Sequence, residues 1–256
     1  MISKETVLFY ADNREDKLFL SGIYDNYRKT SARGIATYSS FMSERKQQLV
    51  ISAFSSDKNI GIEFIGGYPG AERKILCFYE EEKGEYPISV IKAETSSGAD
   101  LSHRHYLGAL MGLGIERDRV GDIAGTDGVR FIYVLSEIAD YILMNYEKAG
   151  RERLKCELFC GDAQIASPEP EIASFSVASL RLDAVIAAAF RLSRDKAKQL
   201  IESGRVCVDG REKTNVDFVL KEGSAITARG FGKAGLLGIK GISKKGRSFV
   251  EMEILR

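Results

Sequence analysis

The 256-residue sequence predicts an α+β fold in three consecutive parts. These are a helical N-terminal segment (1–58), an α+β middle domain (59–166) and a small α+β module (178–256) reached through a linker (167–177). Three observations predict this. Apolar residues recur at helical spacing over the first 55 residues. Between 60 and 160, short strand-like runs alternate with helical stretches. Beyond 178, two short helix patterns precede a strand and a tight turn, and the charge changes sign there. The chain carries +1 overall, yet residues 178–256 hold sixteen Lys and Arg against nine Asp and Glu, leaving twenty-one against twenty-seven upstream. A basic nucleic-acid-binding end on an acidic body has this asymmetry.

In the N-terminal segment, Leu18, Phe19 and Ile23 share one helical face, as do Leu49, Val50, Ala53 and Phe54. In the middle domain, strands are expected at 60–65, 74–79, 88–93, 129–134 and 154–159. Helices are expected at 103–111, capped by Ser102, and at 137–146, capped by Ser136. The resulting order, three strands, helix, strand, helix, strand, suits a small sheet with helices on one face. Gly108-Ala-Leu-Met-Gly-Leu-Gly reads as a helix running into a turn, its glycines explained by close helix packing. Ser167-Pro-Glu-Pro-Glu-Ile-Ala-Ser-Phe-Ser discourages a continuous helix and reads as the linker.

In the C-terminal module, Ser179 is the expected N-cap of a helix whose apolar stripe is Leu182, Val185, Ile186, Ala189 and Phe190. Ser193 caps a second helix, Asp195 suits its positive end, and Ala197, Leu200 and Ile201 form its buried stripe. Gly204 stops it. Arg205-Val-Cys-Val-Asp alternates like a half-buried strand, and Asp209-Gly210 is a hairpin dipeptide.

No run of eighteen apolar residues exists, and residues 1–30 lack a signal-peptide core. Four cysteines without a secretion signal point to reduced thiols and a cytoplasmic protein. The absence of Cys-x-x-Cys and the adjacency of His103, Arg104 and His105 argue against a metal site, and no cofactor is expected. Gly66-Gly-Tyr-Pro-Gly-Ala-Glu-Arg-Lys lacks the Gly-Lys-Ser/Thr ending of a nucleotide loop. It reads either as a plain hairpin or as a loop presenting amides and cations to phosphates, with Tyr68 packed or stacked on a base.

Arg181, Arg191, Arg194, Lys198, Arg205 and Lys213 lie on faces the core does not need and are expected to converge on one RNA-binding surface. Ser193 and Gln199 on the second helix join them, as do Arg229, Phe231 and Lys233 of Arg229-Gly-Phe-Gly-Lys. Phe231 either stacks on a base or plugs the module's core. Lys240, Lys244, Lys245 and Arg247 form a further basic cluster. A second RNA surface is expected from Arg73, Lys74, His103 and Arg104.

Arg181-Leu182-Asp183, Ser193-Arg194, Ala197, Leu200-Ile201, Gly204, Val206, Val208 and Gly210 closely resemble the RNA-binding domain first recognised in ribosomal protein S-four. Upstream, Gly66-Gly-Tyr-Pro-Gly-Ala-Glu-Arg-Lys, His103-Arg-His-Tyr-Leu-Gly-Ala-Leu-Met-Gly-Leu-Gly and Gly121-Asp-Ile resemble the YlmH-like proteins. His105 stands where the family form is His-Arg-Asp. The resemblance implies a helical N-terminal part, an RRM-like α/β-sandwich middle domain and an S-four-type C-terminal module. It also implies ribosome association and rescue of stalled large subunits carrying peptidyl-tRNA, with some members linked to cell division.

The function expected is therefore non-enzymatic binding of ribosomal RNA and tRNA on the ribosome, by a monomer without membrane attachment. The rivals are an RNA-modifying enzyme of the pseudouridine synthase or methyltransferase class and a cytoplasmic scaffold. About 70 residues follow Arg181-Leu-Asp, too few for a synthase domain, and no glycine-rich methyltransferase loop follows a strand.

Overall fold

The computed structural model describes residues 2–125, 127–161, 171–242 and 247–255. Residues 167–170 of the expected linker, and Lys244 and Lys245, lie outside the described residues. The chain divides into two compact units, Met1–Ser167 and Pro168–Arg256.

The first unit begins with helices α1 (Lys4–Leu8), α2 (Arg14–Arg33) and α3 (Glu44–Phe54). Asn13 caps α2 by accepting from the Asp16 amide at 2.9 Å, and Gly34 ends it in the left-handed region. The buried stripe of α2 is Leu20, Ile23, Tyr24 and Tyr27, whereas Leu18, expected on that face, is exposed. Arg45 of α3 grips the buried Asp16 through both guanidinium nitrogens, at 2.7 and 2.6 Å, and holds that carboxyl below its ordinary value.

These helices pack on a three-stranded antiparallel sheet of order β1-β3-β2, made of β1 (Thr37–Tyr38), β2 (Gly61–Ile65) and β3 (Ile75–Tyr79). Tyr27, Phe54 and Phe78 meet at ring separations of 5.1 to 5.8 Å in the core between helices and sheet. β3 is apolar at consecutive positions because both its faces are covered. Leu76 and Phe78 point to the helices, while Ile75 joins a second cluster with Phe41, Tyr133 and Leu135.

The rest of this unit is β4 (Ile88–Thr95), α4 (His103–Gly112), β5 (Val120–Ala124), β6 (Val129–Leu135), α5 (Ala139–Asn145), β7 (Lys148–Ala149) and β8 (Glu152–Leu158). The five-stranded sheet runs β5-β6-β4-β8-β7, antiparallel throughout, with α4 and α5 packed on one face around Ile91, Tyr106, Leu110, Ile132 and Ile142. Omitting the short β7, this is the split β-α-β-β-α-β arrangement.

Four sequence expectations change here. The strands at 60–65 and 74–79 belong to the N-terminal sheet, so the split arrangement starts at Ile88. The strand that replaces them, β5, was overlooked because Val-Gly-Asp-Ile-Ala is short and broken by Gly and Asp. Ser136 opens a 3-10 turn ahead of α5 and does not cap that helix. Gly108 and Gly112 face open space, so close helix packing does not explain them.

The second unit contains β9 (Glu171–Val177), α6 (Leu182–Ala189), α7 (Arg194–Glu202), β10 (Val206–Val208), β11 (Arg211–Glu212), β12 (Ala225–Ala228), β13 (Gly232–Ile242) and β14 (Ser248–Leu255). They form a six-stranded sheet of order β11-β10-β12-β13-β14-β9 with α6 and α7 on one face. Leu182, Val185, Ile186, Leu200 and Ile201 close on Val206, Ile226, Leu236, Val250 and Met252. Burying each such side chain contributes about 1.5–3 kcal/mol. Asp209 and Gly210, both at positive φ, make the two-residue turn between β10 and β11.

Residues 171–177, expected as linker, are instead an edge strand paired with β14 from Val177 to Glu171. The prolines stop at residue 170, and Ala173, Phe175 and Val177 then alternate into the core.

Candidate nucleic-acid interface

The N-cap of α6 is Arg181 and not Ser179, its φ of −64° and ψ of 143° being extended. Its backbone bridges to Val219, which pins the start of the helix two residues later than expected. The side chain turns back to Asp183 with two contacts of 3.2 Å, and it also pairs with Asp217. From α7, Arg194 reaches the same Asp183 carboxylate at 2.8 Å. Asp183 is only 6% exposed. One buried carboxylate therefore holds two half-exposed guanidiniums side by side across the α6–α7 junction, and its hydrogen bond raises the pKa of Arg181 further.

Ser193 caps α7, accepting from the Lys196 amide at 3.2 Å, so its hydroxyl has a structural task. Lys198 lies one turn beyond Arg194 on the same flank of α7 and is exposed. Its pair with Glu202, at 3.8 Å between two half-exposed side chains, contributes little. Gln199 is exposed on the helix's outer surface.

A second group forms on the other flank of α7. Lys196 sits 5.6 Å above the Phe231 ring, and Phe231 rests half-buried on the core. Arg205 and Arg229 are joined through their backbones, and the Arg205 guanidinium donates to the Arg229 carbonyl at 2.9 Å. The expected single surface is thus two cationic groups flanking one helix. Lys213 lies over Phe218 at 4.7 Å.

Arg191 is at a φ of 52° and reaches Glu171 at 3.7 Å, away from both groups. Lys233 alternates with the buried Ala234, which puts it on the sheet face opposite the helices. The geometry removes both from the α7 groups, because strand alternation and a left-handed turn aim their side chains elsewhere.

In the first unit, the 66–74 loop is built around Asp122. That carboxylate accepts from the Tyr68 hydroxyl at 2.9 Å, the Glu72 amide at 2.7 Å and the Arg73 amide at 3.1 Å. The Glu72 and Arg73 amides are thereby occupied and are not offered to a phosphate. Tyr68 packs on Tyr133 at 4.9 Å, and burial pushes its hydroxyl pKa upward. Gly67, at a φ of 93°, lies so near Tyr133 that a Cβ would come within 2.4 Å of the ring.

Arg73 cannot serve the surface expected of it. Its guanidinium donates to the carbonyls of Val120, Phe41 and Arg117 at 3.0 to 3.1 Å. Burial together with the neighbouring Arg73 charge pushes Arg117 down to about 10. Lys74 is half-buried beside Met42, while Arg104 is exposed at the start of α4. His103 is also exposed there. Partial desolvation, then the Arg117 charge, holds its imidazole below the ordinary value, so near neutral pH it offers little positive charge.

Sequence reading missed Asp217 and Lys196, and it quoted Asp183 and Asp122 within motifs without giving either a role. The available signal was an Asp two positions after Arg181; the others depend on contacts between distant segments.

The comparisons with known proteins bear on this geometry. The family model described as the RNA-binding domain in YlmH matches residues 82–159, and the S4 domain model matches 180–226. The chain is similar to the ribosome-associated protein quality control protein P2 of Bacillus subtilis (strain 168). They are 31% identical over 214 residues, covering 81% of this chain and 83% of that protein. Its fold resembles that of the cell division protein ylmH from Streptococcus pneumoniae, with a TM-score of 0.51 at 18% identity, over 59% of this chain and 94% of that one.

Proposed function

We propose, since this chain belongs to the YlmH family and carries an S4 domain in its C-terminal unit, that it is a non-enzymatic RNA-binding protein of the ribosome. Its targets are ribosomal RNA and tRNA on the large subunit, and its task is quality control of stalled peptidyl-tRNA. The Bacillus relative is named for ribosome-associated quality control. Cell division is carried by the streptococcal protein's name alone.

The observation that supports this reading best is the Arg181–Asp183–Arg194 arrangement inside the S4 match. Arg194, half exposed and held by the buried Asp183, keeps part of its donor set turned outward, which suits bidentate phosphate contact, while Arg181 is shared between Asp183 and Asp217. Lys198 extends the row, while Lys196, Phe231, Arg205 and Arg229 offer a second set with an aromatic edge. Such contacts grip structured RNA by backbone and shape. The non-enzymatic reading follows the family, whose matched models describe RNA-binding domains. The protein acts as a monomer in the cytoplasm; among the described residues no helix is long and apolar enough to cross a membrane.

Sedimentation of lysate through a sucrose gradient tests this. The protein is expected in the large-subunit fractions at low salt and at the top of the gradient once salt is raised. A protein that stays at the top at every salt concentration contradicts ribosome association.

A further inference from the structure

We propose that the β7–β8 edge of the five-stranded sheet is a second RNA-phosphate surface, formed by Lys148, Arg151, Arg153 and Lys155. This rests on the RNA-binding reading above and locates the middle domain's share of the contact.

RRM-type sheets stack bases on aromatic side chains of the face opposite their helices. Here much of that face is closed. Tyr133 and Leu135 of β6 are buried in a cluster with Phe41, Ile75 and Tyr68, and Phe131 is engaged edge-on by Phe159 at 4.9 Å. Lys92 of β4 is held between Glu94 at 3.5 Å and Glu157 at 3.3 Å, so the sheet's centre carries no net positive charge.

The edge is different. Leu154 and Cys156 of β8 pack toward the helices, so Arg153 and Lys155 lie on the opposite face, and both are exposed. Ala149 of β7 is buried, which puts exposed Lys148 on the same face, directly across the ladder from Arg153. Arg151 sits in the connecting turn and is exposed. None of the four makes an ion pair among the described residues.

Like charges placed directly opposite on a sheet destabilise it. A phosphate lying between Lys148 and Arg153 relieves that repulsion; Arg151 in the turn extends the row at one end, and Lys155, which stands across the ladder from Glu94, at the other. Arg and Lys in a line on a strand suit a sugar–phosphate backbone. The match of residues 82–159 to an RNA-binding domain favours RNA over an acidic protein as the partner. A second weak contact on the same chain raises the overall affinity for one RNA through effective concentration.

The test is a salt titration of binding to a paired RNA stem, using full-length protein. Lys148→Ala/Arg153→Ala is expected to flatten the slope of log affinity against log salt by about two. A second variant guards against unfolding: Lys148→Glu turns the opposed pair into an attractive one, so it should melt no lower than wild type while binding more weakly. Unchanged affinity and slope in both variants overturn the proposal. If Arg194→Ala/Lys198→Ala still weakens binding in the same titration, that failure is confined to the sheet edge. A wild-type protein with no salt-dependent RNA binding removes both readings together.

Discussion

Arg194→Ala/Lys198→Ala is expected to lower affinity for structured RNA by about a hundredfold, taking about 1.5 kcal/mol for each lost charge-assisted contact. The slope of log affinity against log salt should flatten by about two. The variant should stay folded, because Arg181 still holds the buried Asp183 carboxylate at 3.2 Å and both replaced side chains are at least half exposed. Asp183→Asn makes the companion experiment decisive. Removing a negative charge beside two cations should strengthen RNA binding if charge alone matters. The geometry predicts the opposite, because without the carboxylate the two guanidiniums lose the group that sets their spacing. Weaker binding by Asp183→Asn, with a melting temperature close to wild type, marks Asp183 as a positioning residue. Stronger binding discards that role.

Asp122→Ala should destabilise the first unit by about 3 kcal/mol or more, read as a lowered denaturant midpoint. The carboxylate accepts from Tyr68, Glu72 and Arg73, and its charge favours the cationic form of two half-buried guanidiniums. Truncation leaves two amides and a hydroxyl without their acceptor and removes one of the two carboxylate charges, Asp122 and Asp118, that favour the Arg73 cation beside Arg117. Asp122→Asn keeps an acceptor oxygen and should lose less. Equal stability of wild type and Asp122→Ala would show that the loop is held by the packing of Tyr68 on Tyr133 instead.

What the sequence made legible was local. The stripe of α6 and α7, the Ser193 cap, the Gly204 stop and the Asp209-Gly210 turn each depend on neighbours within a few residues, and the structure has them. The α+β class followed from the same periodicities. Long-range partners were not legible. Arg73 looked like a surface cation because nothing nearby reveals that three carbonyls, two of them more than forty residues away, receive its guanidinium.

β9 was hidden by two prolines that end just before it, and its ladder partner β14 lies more than seventy residues downstream. The convergence of cations was half legible. Helical spacing placed Arg194 with Lys198, but which flank of α7 each cation occupies depends on where Asp183 and Phe231 stand. The β7–β8 cations were invisible as a group because the opposition of Lys148 to Arg153 exists only once the register is known.

Ultraviolet cross-linking of full-length protein to its bound RNA, followed by mass spectrometry of the cross-linked peptides, tests the central claim most directly. The strongest adducts are expected in peptides spanning Arg181 to Arg205 and Arg229 to Lys233. RNA bound efficiently, with no adduct in either stretch, would contradict the assignment of the α6–α7 face as the primary RNA surface.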